Sequence, residues 1–140
     1  MAAKDFYHDK LKNALIKDGW LVTHDPYIID IPEMRPRQEI DLGAEKIIGA
    51  ERGVDKIAVE VKSFLNASLV YDFHHALGQF MLYLIGLEIK EPNRHLYLAI
   101  PVFAYNYFES MRLIQLGIEK YQVKLIIFDH DNETIESWIN

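Results

Sequence analysis

The 140-residue sequence contains no cysteine. That excludes a disulfide framework, a cysteine-type zinc site and thiol catalysis. No apolar run approaches the ~20 residues that span a bilayer, and the opening MAAKDFYHDKLKN lacks the apolar centre of a signal peptide. The expected location is therefore the cytoplasm. Positive charge is also scarce: 15 Lys and Arg stand against 21 Asp and Glu, a net charge of −6. Such a chain is no bulk polycation, and contact with nucleic acid requires a local basic patch, a metal ion or a partner protein. There is no internal repeat, no low-complexity tract and no linker rich in Pro, Gly or Ser. What remains is 50 % hydrophobic and 12 % aromatic, the balance of a globular chain. At this length roughly 68–70 % of the unfolded surface can be buried, so the core needs no staple. One domain over residues 1–140 is expected.

The charge is uneven. Residues 1–62 carry 10 basic and 12 acidic groups, residues 63–140 carry 5 and 9, and Asp129 to Glu136 holds four acids with no Lys or Arg. The amino-terminal half is the better face for a polyanion. Residues 4–18 read as an amphipathic helix with Tyr7, Leu11, Ala14 and Leu15 on one stripe and Gly19 as its stop. WLVTHDPYIIDI follows as an extended segment broken at Pro26, and EMRPRQ reads as loop. Residues 39–48 and 56–64 read as strands of an antiparallel hairpin turned by GAERGV. Residues 69–89 form the longest helical pattern, with Leu69, Phe73, Ala76, Leu77, Phe80 and Leu84 as its apolar stripe. Residues 95–103 read as a buried strand, 106–120 as a helix closed near Gly117, and 124–129 as another apolar strand. DHDNET turns the chain into an alternating edge strand, 134–139. Long apolar strands following helices define an α/β sandwich: a central mixed β-sheet flanked by helices on both faces.

One pattern breaks the apolar rule of a covered sheet. Glu60 and Lys62 stand two apart in the strand 56–64, so their side chains leave the face shared with Ala58, while Ile57, Val59 and Val61 take the other. Asp41, at the start of the preceding hairpin strand, is brought beside Glu60 across the ladder. Two carboxylates that close repel one another unless a cation lies between them. Mg²⁺, with Mn²⁺ as its substitute, suits the pair because it takes one or two carboxylates and keeps several waters. The Val61 carbonyl offers a further oxygen. Lys62 then stands beside the attacking water and the phosphate. The plainer alternative is a same-face ion pair on an exposed strand, worth little energetically.

Asp41 followed by Glu60-Val61-Lys62 at the centre of a hairpin, with a helix after it, resembles the PD-(D/E)XK nuclease signature. The resemblance implies a restriction endonuclease-like core in which Asp41 and Glu60 hold one or two Mg²⁺ ions and Lys62 serves the attacking water. Ile40 stands where the motif's proline gives it its name, a departure many members share. Gln79 and Tyr83, one helical turn apart, resemble the Gln-x-x-x-Tyr element of the RecB-type members, which lies beside the active site; the polar edge of a buried helix explains them equally. From FYHDKLKNALIKDGW through EIDLGAEK, AVEVKSF and HALGQFMLYL to the closing acidic strand, the chain resembles the cyanobacterial XisH-type fdxN element excision controlling factors. That resemblance implies DNA as a partner in programmed excision during heterocyst differentiation. It also implies a site-specific recombinase and an XisI-like protein as companions. A catalytically inactive accessory protein on the same fold is the rival expectation.

Other residues invite weaker readings. His8 and Asp9 can lend polar groups to the site or form a solvated helix face. His74 and His75 point about 100° apart and suit capping or core roles better than metal ligation. His24-Asp25 before proline makes a turn. Asp129 to Asn132 lacks the glycine and distal glutamate of a calcium loop and reads as a hairpin turn. Arg35, Arg37 and Arg52 sit in loops where phosphate contact or plain solvation is expected. Phe103, Tyr105, Tyr107 and Phe108 resemble a base-stacking platform, but without basic residues among them they suit the core or a homodimer interface better.

Overall fold

The structure, a computed structural model, describes residues 3–49, 53–65 and 68–140. The first amphipathic stripe becomes α1 (Ala3–Lys17), with Leu11, Ala14 and Leu15 wholly buried. Gly19 ends it at φ +93°, its N–H donating to Ile16 O and that of Trp20 to Leu15 O. This left-handed closure favours glycine, which has no Cβ to clash there. The extended segment divides at Pro26 into β1 (Leu21–His24) and β2 (Tyr27–Ile29). After the loop come β3 (Gln38–Ile40), β4 (Leu42–Gly49) and β5 (Gly53–Val61), then α2 (Leu69–Lys90), capped by Ser68, whose hydroxyl accepts from Tyr71 N. The chain continues as β6 (Arg94–Pro101), α3 (Val102–Glu109), α4 (Arg112–Lys120), β7 (Leu125–Asp129) and β8 (Thr134–Ile139).

Six strands form one mixed sheet in the order β1-β4-β5-β6-β7-β8, with β5, β6 and β7 parallel and the other neighbours antiparallel. Strand alternation sorts the side chains into two cores. Leu96, Leu98, Ile100, Leu125 and Ile127 face α2, α3 and α4, while Tyr97, Ala99, Ile126 and Phe128 face α1. Strands covered on both sides read as continuous apolar runs for this reason. Helices therefore flank both faces, as the sequence pattern predicts.

Three boundaries differ from the sequence reading. The strand predicted over 39–48 breaks at Asp41: β3 pairs with β2 in a separate two-stranded sheet, and only β4 joins the large one. Wholly buried Ile40 draws the chain into the second layer, where it lies opposite Tyr27. The strand predicted to run to residue 103 stops at Pro101, whose fixed φ opens α3 at once. The helix predicted over 106–120 is two helices, parted where Ser110 Oγ donates to Tyr107 O and Met111 turns extended. The hairpin turn GAERGV, including Arg52, lies largely outside the described residues.

An ionic knot around buried Arg94 ties the small sheet to the large one. Arg94, only 4 % exposed, donates through Nη1 to Ile57 O (2.8 Å) and through Nε to Glu91 Oε1 (2.8 Å). Tyr27 OH donates to the same Glu91 oxygen at 2.7 Å, and Lys56 Nζ lies 3.3 Å from Oε2. The Arg94 hydrogen bond, foremost, holds the Glu91 carboxyl down to about 2. This knot fixes β2 and, through it, the β3 segment that delivers Asp41.

Candidate active site

Asp41 sits in the bend between the two sheets. The β4/β5 ladder pairs Leu42 with Val59, so one further step sets Asp41 opposite Glu60, as the hairpin register predicts. The two residues brace one another. Asp41 Oδ2 accepts from Val61 N at 2.9 Å, and Glu60 Oε1 accepts from Asp41 N at 3.2 Å. The Asp41 side chain thus takes the place where a continuing ladder would offer Val61 N the carbonyl of Ile40. Lys62 lies one residue beyond β5, anchored by its N–H to Ala99 O at 3.0 Å, and its Nζ is 3.4 Å from Glu60 Oε2.

Burial governs the electrostatics. The Glu60 side chain is only 9 % exposed. Desolvation first, and the Asp41 charge second, push its carboxyl up to about 7, against the opposing pull of Lys62 and the Asp41 N–H. A compensating cation beside Glu60 would offset that cost. Tyr83 is buried on the inner face of α2, and its hydroxyl is raised above its ordinary value by burial and by the charges of Glu60, Asp41 and Glu39. It therefore senses the carboxylate pair. Gln79, one turn earlier, carries a buried Oε1 without a hydrogen-bond partner among the described residues.

The donor set is all oxygen: two carboxylates and the Val61 carbonyl at the strand end. That matches the hard-cation preference of Mg²⁺, which leaves its other positions to water. Among the described residues no group of three or more His, Asp or Glu side chains is placed to hold a metal, so a closed protein-only cage is absent from them.

Other candidates fall elsewhere. His8 Nε2 pairs with Asp25 at 2.9 Å and Nδ1 with Asp9 at 3.3 Å, which spends both groups on the β1–β2 corner. His74 and His75 are exposed on α2, contrary to the capping or core role expected of them; both lie off its buried stripe. Asp129 Oδ1 accepts from the N–H groups of Asp131 and Asn132, the expected turn. Arg35 is held by Asp30, Ile31 O and Met34 O. The aromatic segment forms no platform: Phe108 is wholly buried, Phe103 packs near Tyr7 and His130, and Tyr107 is exposed. Two features escape the sequence reading. A hollow of about 170 Å³ beside Lys62 is lined by Tyr7, Val61 and Ser63. Glu39, two residues before Asp41, adds its charge to the field at Tyr83; the acid-x-acid spacing was its only signal.

The mixed six-stranded sheet with four helices among the described residues, carrying this acid-acid-lysine trio at a hairpin end, is compatible with a restriction-endonuclease-like core. A family model described as "XisH protein" matches residues 1–136, and the chain belongs to the XisH family. It is similar to the crystal structure of an XisH family protein from Nostoc punctiforme PCC 73102, at 41 % identity and TM-score 0.87, covering 97 % of this chain and 100 % of that one. It is also similar to that of an fdxN element excision controlling factor protein from Anabaena variabilis, at 41 % identity and TM-score 0.86, covering 97 % and 99 %. No curated relative matches the chain. No helix among the described residues is long and apolar enough to cross a membrane.

Proposed function

We propose that this protein takes part in the excision of a DNA element and that Asp41, Glu60, Val61 and Lys62 form a Mg²⁺-dependent, endonuclease-type phosphodiesterase site acting on DNA. The observation that supports the reading most is the mutual bracing of Asp41 and Glu60. The fold holds two carboxylates together although burial first, and the charge of Asp41 second, raise the Glu60 carboxyl, and a divalent cation relieves that cost. Asp41, Glu60 and the Val61 carbonyl hold the ion, Mg²⁺ or Mn²⁺. When bound, it supplies positive charge to the phosphate and acidifies the attacking water. Lys62, tethered to Glu60, presents its ammonium group to the same water and to charge building on the phosphate. Gln79 positions substrate through its unpartnered Oε1, and Tyr83 closes the apolar wall behind Glu60.

The test is nicking of supercoiled and branched DNA by purified protein in Mg²⁺ or Mn²⁺. Lys62→Ala is expected to lower cleavage about 100-fold or more, the scale of losing one group that stabilises developing charge. Equal nicking by wild type, Glu60→Gln and Lys62→Ala removes the hydrolytic reading. A second reading draws on the net charge of −6 and on Arg35 being bound into its own loop. On that reading the chain is an inactive accessory protein that joins a site-specific recombinase or an XisI-like partner by surface contact. Excision that survives Glu60→Gln in a reconstituted reaction selects it.

A further inference from the structure

On the helical face, away from the carboxylate pair, the first half of α2 and all of α4 enclose an apolar groove of about 580 Å³. Val70, Phe73 and Leu77 form one wall, and Leu113, Leu116 and Tyr121 the other. Its rim is open: Leu113 is 79 % exposed, Leu116 47 % and Val70 45 %. Further along α2, Leu82, Ile85 and Ile89 are exposed as well. A helix apolar on two faces has the composition of one covered on both, yet the sheet covers one. Contiguous apolar surface of this kind marks an interaction site.

Charge selects the occupant. The charged side chains lining the groove are Arg112 and Lys120, and no carboxylate lines it. This is a cationic rim on a protein of net charge −6. Arg112 makes no ion pair or hydrogen bond among the described residues, and Lys120 meets only the Tyr121 ring, at 5.9 Å. Two cations left unspent beside an apolar trough call for carboxylates from outside.

We propose that the groove is a docking site for an amphipathic helix of a partner protein. Aliphatic side chains of that helix fill the trough, and its flanking Asp or Glu residues pair with Arg112 and Lys120. The nine residues of α4 span about 14 Å, so some three turns of partner helix, with anchors at i, i+3 or i+4 and i+7, match its length. A second copy of this chain is the poorer occupant, because a two-fold contact sets the same patch against itself and brings like cations together. The inference is independent of whether the carboxylate site cleaves DNA.

The test uses two synthetic 18-residue helical peptides with leucine at the anchor spacing, one flanked by glutamate and the other by lysine. Binding to the full chain is followed by fluorescence anisotropy. The glutamate peptide is expected to bind at least tenfold tighter, Arg112→Glu with Lys120→Glu to reverse the preference, and Leu113→Asp to abolish binding of both. Hydrogen-exchange protection is expected at residues 70–77 and 111–121. Leu113 is exposed, so an unchanged thermal transition shows that the variant folds. Glu60→Gln is expected to bind as wild type does, which separates this result from the fate of the hydrolytic site. Equal affinity for the two peptides, protection elsewhere, or binding indifferent to Leu113→Asp overturns the proposal. So does dimerisation in the ultracentrifuge, or binding to anionic vesicles, that Leu113→Asp abolishes.

Discussion

Glu60→Gln is expected to make the metal-free protein more stable, by an amount that depends on pH. The folded carboxyl titrates at about 7 against an ordinary 4.5. A raised folded value means the favourable contribution is complete below about pH 4.5 and is lost as pH rises through about 7. At 1.36 kcal/mol per unit, the ionised side chain costs the fold up to about 3 kcal/mol at pH 8. Glutamine keeps an oxygen for the Asp41 N–H and carries no charge, so the variant escapes that loss. For a chain of this size about 3 kcal/mol corresponds to roughly 10 °C in Tm. Scanning calorimetry in a chelator should show the two proteins melting together near pH 4.5 and separating to about that extent by pH 8. Mg²⁺ should then reverse the order, because only wild type keeps both carboxylates; at 1,000-fold excess over Kd the gain is about 4.1 kcal/mol, which exceeds the deficit. Parallel melting curves across the pH range, or a less stable variant at pH 8 in chelator, would refute the reasoning.

Arg94→Met should cost about 1–3 kcal/mol in urea unfolding, because it leaves the Ile57 carbonyl without its buried donor while Glu91 keeps Tyr27 and Lys56; a loss under about 0.5 kcal/mol would show the knot to be dispensable. Glu91, held down to about 2, contributes stability that is complete above pH 4.5 and lost as pH falls toward 2, about 2 kcal/mol after allowance for its partial exposure. Together with Glu60 this places the stability maximum of the metal-free protein near pH 5, measurable from Tm against pH, with Glu60→Gln moving it upward. Gly86→Ala should cost about 1–3 kcal/mol of overpacking, since its Cβ meets two carbons of wholly buried Ile29 at 3.0 Å; a neutral result in chemical denaturation would mean that β2 yields freely.

Residues that face one environment along a whole element were legible. Tyr7, Leu11, Ala14 and Leu15 repeat at helical spacing, and the Ile57–Val59–Val61 alternation fixed which face carries Glu60. The breaks were less legible. Asp41 keeps the polar alternation that an unbroken strand shows, so nothing local signals that Ile40 belongs to another layer. Apolar periodicity runs on from α3 into α4 across Ser110, and only the Ser110 hydroxyl and the extended Met111 part them. Pro101 did carry its signal, but Val102 and Phe103 after it read as more strand. Arg94 is invisible to any pattern, because a lone basic residue at a strand start is ordinarily solvated. The juxtaposition of Asp41, Glu60 and Lys62 followed from register, while their reading as a site drew on the family resemblance as well; Glu39 and the hollow lined by Tyr7 depend on three-dimensional neighbours.

The Val61 amide is a reporter built into the backbone. Its proton points at a side-chain oxygen of Asp41 and not at a neighbouring strand, so its chemical shift and exchange rate follow the state of one carboxylate and not the fraying of the sheet. A single amide resonance can therefore read whether Asp41 still braces the end of the hairpin, without any label in the centre itself.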